Sequence, residues 1–426
     1  MLDRSSPPDF VPVKDISLTQ ADSRVLDNGI RLHAISAGSQ PVINLQIIFN
    51  AGKWYEKVPG SSILLSKLML EGTKKFSAEE INNYFESHGI FWEIGGGTDH
   101  LTIDIYLLSK YLHKISEIIT DILSNALLPE SEFATVKKRL THQLKINQEK
   151  TSYRAASLFR TNIFGESHPY GYALTPEILN GVNYQDVISF YESQVKNRNF
   201  EMLASGDLSE EVLEQLISDF AGLTLTDPLI TDKTVKDHPG MSLDSYANLY
   251  EERDNNVQTS IRIGRQINKR KDLDTIKLEI LNRVLGGYFG SRLMKNLREE
   301  KGYTYGVHSN MVFLKHGGYF FINTDVIKEK KDDALSEIYK EIRTLYTEAI
   351  SEDELALVKN HMVGSFIKSI NSPFSLAEHF KTMYFHKLDT NYFNHYVSEI
   401  NKVSSEELLE TAKKYLQIEL LEITVG

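Results

Sequence analysis

The chain has 426 residues, 41% hydrophobic and 25% charged, with 47 basic against 58 acidic side chains and a net charge of −11. That length suits two or three domains with full cores, and an acidic balance with no Lys/Arg-rich run speaks against nucleic acid or an anionic membrane as the main partner. It contains no cysteine, which excludes disulfides, thiolate catalysis and Cys-ligated zinc.

Residues 1–20, rich in Pro and Asp, read as an N-terminal arm. Met1 to Asp9 has no apolar h-region of a signal peptide, and no apolar run is long enough to span a bilayer. A cytoplasmic location is therefore expected. A first domain is expected over 21–221. Val25-Leu26 and Ile30 to Ile35 flank Asp27-Asn28-Gly29, a hairpin signal. Leu45, Ile47 and Phe49 alternate with Asn44, Gln46 and Ile48, as in a strand with one buried face. Ser77 and Glu80 form a capping box with Phe76 and Ile81 at the staple positions, which predicts a helix start. Gly95 to His100 is expected to open a strand, and an edge strand over Thr98 to Leu107 would accept an incoming peptide by backbone pairing. Ile115, Ile118, Ile119 and Ile122 follow at helical spacing.

A linker is expected over 222–248, where Asp227-Pro228 and His238-Pro239-Gly240 cluster without periodicity. The second domain, 249–426, repeats the order of the first. A helix around Ile276 to Leu285 leads through a Gly-rich turn to Leu293 to Leu297, a strand over Gly318 to Thr324 and a helix over Lys331 to Tyr346. Pro129 to Lys137 echoes Ser351 to Lys359, and Gly89-Ile90-Phe91-Trp92 echoes Gly302-Tyr303-Thr304-Tyr305. A repeat this long means a duplicated domain rather than a solenoid. The fold class read from this order is α+β, with two similar α/β sandwich domains joined by a linker.

The stretch Gly60-x-x-Ile63-x-x-Ser66-Lys67, closed by Gly72-Thr73, lies in a longer frame. Asn50-Ala51-Gly52 and Glu56 precede it, and His168-Pro169-Tyr170-Gly171 and Gly206-Asp207 follow. In the second half, Leu285-Gly286-Gly287-Tyr288-Phe289-Gly290-Ser291-Arg292-Leu293 is followed by Arg298-x-x-x-Gly302-x-x-Tyr305. Order and spacing together resemble the insulinase/pitrilysin zinc peptidases, from about Val25 to Tyr415. Those enzymes carry Gly-x-x-His-x-x-Glu-His in the first stretch. An inverted zinc motif presents two neutral imidazoles on one helical face, with a carboxylate to take a proton from the metal-bound water. Here the histidine positions read Ile63 and Lys67 and the glutamate position reads Ser66. The helix that carries the family's third ligand matches Val136 to Leu144 here and holds no carboxylate until Glu149.

The resemblance therefore implies a chain without a cofactor of its own, inactive alone. It resembles the non-catalytic subunit of the processing-peptidase branch, with zinc supplied by a related partner subunit and peptides or unfolded protein segments as substrate. It marks Arg298 and Tyr305 as substrate-binding. A guanidinium can grip peptide carbonyls or a carboxylate, and a phenol can donate to an oxyanion. The blander reading makes Arg298 an exposed helix charge beside Glu299 and Glu300, and Tyr305 a strand aromatic. His142, His168, His379 and His386 read as core or surface histidines rather than ligands. The Gly-rich turn lacks the Lys-Ser/Thr of a phosphate loop. The alternatives are a structural member of the family with no part in proteolysis, and a peptidase with an unrecognised site.

Overall fold

The computed structural model describes residues 16, 18–198, 200–225, 248–254 and 256–426. Most of the expected arm (1–20) and linker (222–248) thus lies outside the described residues. The first sheet has strands β1 (Asp22–Val25), β2 (Arg31–Ser36), β3 (Val42–Phe49), β4 (Phe91–Gly96), β5 (Leu101–Leu108) and β6 (Glu201–Gly206), ordered β1-β2-β6-β3-β5-β4. Its helices are α1 (Ser61–Leu68), α2 (Ala78–Ser87), α3 (Leu112–Asn125), α4 (Glu130–Gln148), α5 (Thr151–Phe164), α6 (Pro176–Gly181), α7 (Tyr184–Gln194) and α8 (Glu210–Ala221). The second sheet has β7 (Leu249–Glu251), β8 (Gln258–Ile267), β9 (Thr304–Leu314), β10 (Gly317–Ile327) and β11 (Leu421–Val425), ordered β7-β11-β8-β10-β9. With it go α9 (Thr275–Leu285), a π-helical turn Met294–Glu300, α10 (Lys331–Thr347), α11 (Glu352–Lys368), α12 (Pro373–His386), α13 (Tyr392–Lys402) and α14 (Ser405–Leu416).

The local signals act as their chemistry dictates. Gly29 takes a positive φ of 89° in the turn between β1 and β2, which pair antiparallel. Ser77 and Glu80 close their capping box reciprocally at the start of α2. Leu45, Ile47, Ile103 and Ile105 form one core with the inward faces of α1 and α3.

Each sheet has a second face, and a helix from the other half of the chain covers it. α5 lays Ala155, Phe159 and Ile163 against Tyr319, Phe321 and Ile423 of the second sheet. Reciprocally, Leu376, Ala377 and Phe380 of α12 pack on Ile35 and Leu203 of the first. This exchange corrects the expectation that β3 buries one face: Asn44 and Gln46, on its polar side, are buried too. Gln46 there donates to Glu378 of α12 at 3.1 Å.

The edge-strand expectation also fails. β5 is paired on both sides, by β3 and β4, and the sheet's edge is β4. Gly95 and Gly96 end that strand, and Gly97 to His100 form the turn rather than a strand start. Periodicity reports which face of a strand is buried but not which strands flank it.

The duplication is geometric. Lys137, on α4, donates to the carbonyls of Asn180 and Val182, both at 2.7 Å. Lys359, on α11, donates to those of Asn401 and Val403 at 3.2 and 2.6 Å. In both halves the lysine ties down the loop at the end of a later helix. Gly89 and Gly302, at φ 63° and 67°, turn the chain into the edge strands β4 and β9. The two sequence echoes therefore mark equivalent places in two equivalent sandwiches.

Candidate functional site

Helix α1 carries the altered zinc motif. It opens at Gly60, whose φ of 97° needs glycine, and the Glu56 carboxylate accepts from the N–H groups of Gly60 at 3.1 Å and Ser62 at 2.7 Å. Tyr172 donates its hydroxyl to the same carboxylate. Ile63 packs against the first core. Ser66 is 0% exposed and returns its hydroxyl to the Ile63 carbonyl at 2.9 Å. Lys67 brings a cation where a dication would have to sit. On α4, His142 and Gln143 are exposed. This donor set does not fit zinc: an alkyl chain, an internally bonded hydroxyl and an ammonium offer no lone pair of the required kind. Among the described residues no group of three or more His, Asp or Glu side chains is placed to hold a metal ion.

His168 and His379 serve packing. His168 accepts the Tyr170 N–H at Nδ1, 3.0 Å, and anchors its loop. His379 bonds the Ser369 hydroxyl at 2.8 Å and sits edge-on to Phe393 at 4.8 Å. Burial holds the imidazoles of His379 and His386 below their ordinary range.

The landmarks around the motif build the junction between the halves. Tyr170 donates to Asp99 at 2.7 Å and accepts the His316 N–H at 3.1 Å. Asp99 also accepts the Lys315 N–H at 3.1 Å, and the Lys315 ammonium reaches Asn50 at 3.3 Å. Trp54 stacks on His316 with centroids 4.0 Å apart and rings 11° from parallel. The tip between β9 and β10 is thereby clamped onto Asn50, Trp54, Asp99 and Tyr170. Sequence reasoning assigned no role to Lys315 or His316, because nothing in a short polar turn says what it will meet.

Arg298 and Tyr305 stand in a different setting. Arg298 is on the π-helical turn, a geometry that recurs at functional sites. Its guanidinium carbon lies 4.9 Å from the centroid of Phe289 in the Gly-rich turn, and no ion pair among the described residues involves it. Tyr305 opens β9 and is 91% exposed, while Phe289 is 62% exposed. The turn beneath is firmly held: Asn296 donates to Glu337 at 2.9 Å and Glu341 at 2.7 Å, both on α10. Tyr303 N–H returns to the Leu297 carbonyl at 2.9 Å. The Gly-rich turn caps α9 and leans on β9. Ser309 N–H bonds the Gly286 carbonyl at 3.0 Å, and a Cβ at Gly286 would lie 2.8 Å from the Ser309 nitrogen. Arg292 is engaged by Glu354 through two bonds of 2.9 and 2.7 Å. Arg298 thus differs from its neighbour: among the described residues it has no ion pair and leans on an aromatic face. Phe289, quoted above only as part of the motif, is the residue that residue type alone did not single out.

Two family models match the chain: insulinase (peptidase family M16) over residues 33–171, and the peptidase M16 inactive domain over 181–362. The chain belongs to the insulinase family. Among its relatives, the non-peptidase homolog YmxG of Helicobacter pylori is 22% identical over 84% of this chain and 82% of that protein. The peptidase M16 inactive domain of Pseudomonas fluorescens superposes with a TM-score of 0.83 at 20% identity, over 95% of this chain and 98% of that one. A protease from Helicobacter pylori superposes with a TM-score of 0.85 at 18% identity, over 96% and 100%. These likenesses establish the paired-sandwich fold. In this insulinase-family chain the zinc helix keeps its position and lacks the metal's donors.

Proposed function

We propose that this chain is the non-catalytic, substrate-binding subunit of a heterodimeric zinc metallopeptidase that degrades peptides or unfolded protein segments in the cytoplasm. The observation that carries it is the contrast between two signatures. The motif positions on α1 are packed against the core or replaced by a cation, whereas Arg298, with no ion pair among the described residues, leans on the exposed Phe289, and Tyr305 is 91% exposed. Exposed Arg and Tyr on a well-held scaffold are what a substrate-gripping surface requires. In this reading a related partner contributes zinc and its base, and Arg298 grips substrate carbonyls or a carboxylate. Tyr305 donates to the developing oxyanion. The domains are taken as 21–221 and 249–426.

The test is reconstitution. The isolated chain is assayed for bound zinc and for hydrolysis of an unfolded protein, then mixed with a zinc-bearing relative from the same cell. Cleavage only in the mixture, depressed by Arg298→Ala and Tyr305→Phe with assembly intact, is the expected result. Cleavage in the mixture that ignores both substitutions removes the site assignment. A stable complex that never cleaves favours a purely structural role.

A further inference from the structure

Serine hydroxyls meet histidine rings at Ser87, Ser369 and Ser23, and the three contacts are not alike. Ser87 Oγ lies 3.0 Å from His88 Nδ1, but that nitrogen is also 2.7 Å from the Tyr84 carbonyl. Ser369 Oγ lies 2.8 Å from His379 Nε2, which is 3.2 Å from the Ser369 carbonyl. A carbonyl only accepts, so in both pairs the ring nitrogen carries a proton and cannot take one from the serine.

The third contact lies on the first sheet, on the face that α12 covers. Ser23 Oγ is 2.7 Å from His33 Nδ1, and His33 Nε2 is 3.3 Å from Glu201 Oε2. Here the carboxylate fixes the tautomer. Nε2 holds the proton and turns it to Glu201, which leaves the Nδ1 lone pair to the serine hydroxyl. Strand pairing assembles the row: Ser23 on β1 stands directly opposite His33 on β2, and Arg31 on β2 stands opposite Glu201 on β6. The inner end is held firmly. Phe380 and Tyr384 of α12 lie 4.8 and 4.5 Å from the His33 ring, centroid to centroid. Glu201 Oε1 accepts from Tyr384 at 2.9 Å and from Arg31 at 3.2 Å.

The outer end is open. His33 and Glu201 are buried, whereas Ser23 is exposed on β1, the edge strand of the sheet. Val25 follows on the same face of β1 and is 68% exposed. Arg31 commits Nη1 to Glu201 and Tyr384, yet its side chain is 43% exposed, so part of the guanidinium meets solvent on the face that Ser23 shares. An accessible hydroxyl, an imidazole with a free lone pair and a buried carboxylate that orients it are the parts of an activated nucleophile.

We propose that Ser23 is a nucleophile for acyl transfer from carboxylic esters with short acyl groups, with His33 as its general base and Glu201 as the positioning residue. Ser23 Oγ bonds to the ester carbonyl carbon as its proton passes to His33 Nδ1. The exposed part of the Arg31 guanidinium is the donor nearest in kind to the oxyanion, and Val25 is an apolar contact for the acyl chain. The carbon–oxygen bond to the leaving group then breaks, and the alcohol departs with the proton from His33. Water adds to the acyl-serine, gives one proton to His33 and releases the acid, and His33 returns the proton to Ser23. The sum is ester and water giving acid and alcohol. An open strand edge excludes little water, which suits an ester with a ready leaving group rather than an amide. This activity needs neither zinc nor a partner subunit and does not rest on the proposed function.

The experiment uses the full chain with a metal chelator present. A fluorophosphonate probe is expected to label Ser23, as located by peptide mass spectrometry, and p-nitrophenyl acetate is expected to be hydrolysed until that label is in place. Ser23→Ala, at an exposed position, is expected to keep the parent's thermal midpoint and lose turnover, while Ser87→Ala keeps it. His33→Gln is expected to lower turnover by roughly 100-fold or more. Because His33 is buried, a second measurement leaves it untouched. The chain has no cysteine, so Ser23→Cys and Ser87→Cys each carry a single thiol. Iodoacetamide is expected to alkylate the first roughly tenfold or more faster, since an imidazole lone pair beside a thiol favours the thiolate. Equal alkylation rates, a label that misses Ser23, turnover unchanged in Ser23→Ala, or turnover abolished by the chelator each overturn the assignment. None of these readings involves the reconstitution assay, so the two proposals fail separately.

Discussion

Helix α1 with β4 in the first half and the π-helical turn with β9 in the second have opposite characters. A glycine makes a close approach beside each. A Cβ at Gly96 would lie 3.0 Å from the Ser62 carbonyl oxygen, as one at Gly286 would lie 2.8 Å from Ser309. In the first half the altered positions turn into the protein: Ile63 joins the core and Ser66 bonds its own helix. In the second, Arg298, Phe289 and Tyr305 turn out. A side chain satisfied within the protein has nothing left for a ligand, and in that respect the first place is closed and the second open.

Substitutions that reverse either character sharpen the contrast. Ser66→Glu restores the carboxylate of the zinc motif at a site with no solvent, and is expected to cost about 3 kcal/mol or more, read as a fall in the thermal midpoint. Tolerance of that charge would mean the helix has kept room for a base. Next in size, Arg298→Ala in the reconstituted enzyme is expected to lower kcat/KM by about 10–100-fold with the thermal midpoint unmoved; a midpoint that drops instead makes Arg298 structural. Glu56→Gln weakens the anchor of α1 and Tyr172 and is expected to cost about 1–2 kcal/mol, while leaving Arg298-dependent turnover intact.

Acid provides a fourth lever. The imidazoles of His379 and His386 have depressed values in the fold, so the unfolded chain binds protons first as pH falls. Stability is therefore expected to decline as pH drops below the ordinary histidine range, and less so in His379→Gln. The smallest effect belongs to Asp104, whose carboxyl, beneath α12, is raised chiefly by burial. A raised carboxyl value means the ionised form is disfavoured in the fold, so Asp104→Asn is expected to stabilise at neutral pH. That gain should vanish as pH falls through the raised value, and a gain independent of pH would contradict the assignment.

Much of the fold was legible because its signals are local. The Ser77–Glu80 box, the Asn28-Gly29 turn and the helical spacing of Ile115 to Ile122 each follow from a few neighbouring residues. The echo around Lys137 and Lys359 was legible as a pattern, though its meaning, a lysine gripping two carbonyls, lay some 40 residues further on in each half. The exchange of α5 and α12 was not legible. An amphipathic helix announces that it has an apolar face, not which sheet will receive it. For the same reason the sequence does not show that β4 rather than β5 is the edge, or that the polar side of β3 is buried as well.

By itself the sequence determined the family frame and the residues at the zinc-motif positions, since residue identity and spacing settle those, and the resemblance it carries marked Arg298 and Tyr305 as candidates. Only the tertiary structure decided that Ser66 is enclosed while Tyr305 is bare. It alone joined Phe289 to Arg298 and closed the junction through Trp54, His316 and Tyr170. Exposure and charge pairing depend on residues far apart in the chain, and no window along a sequence contains them.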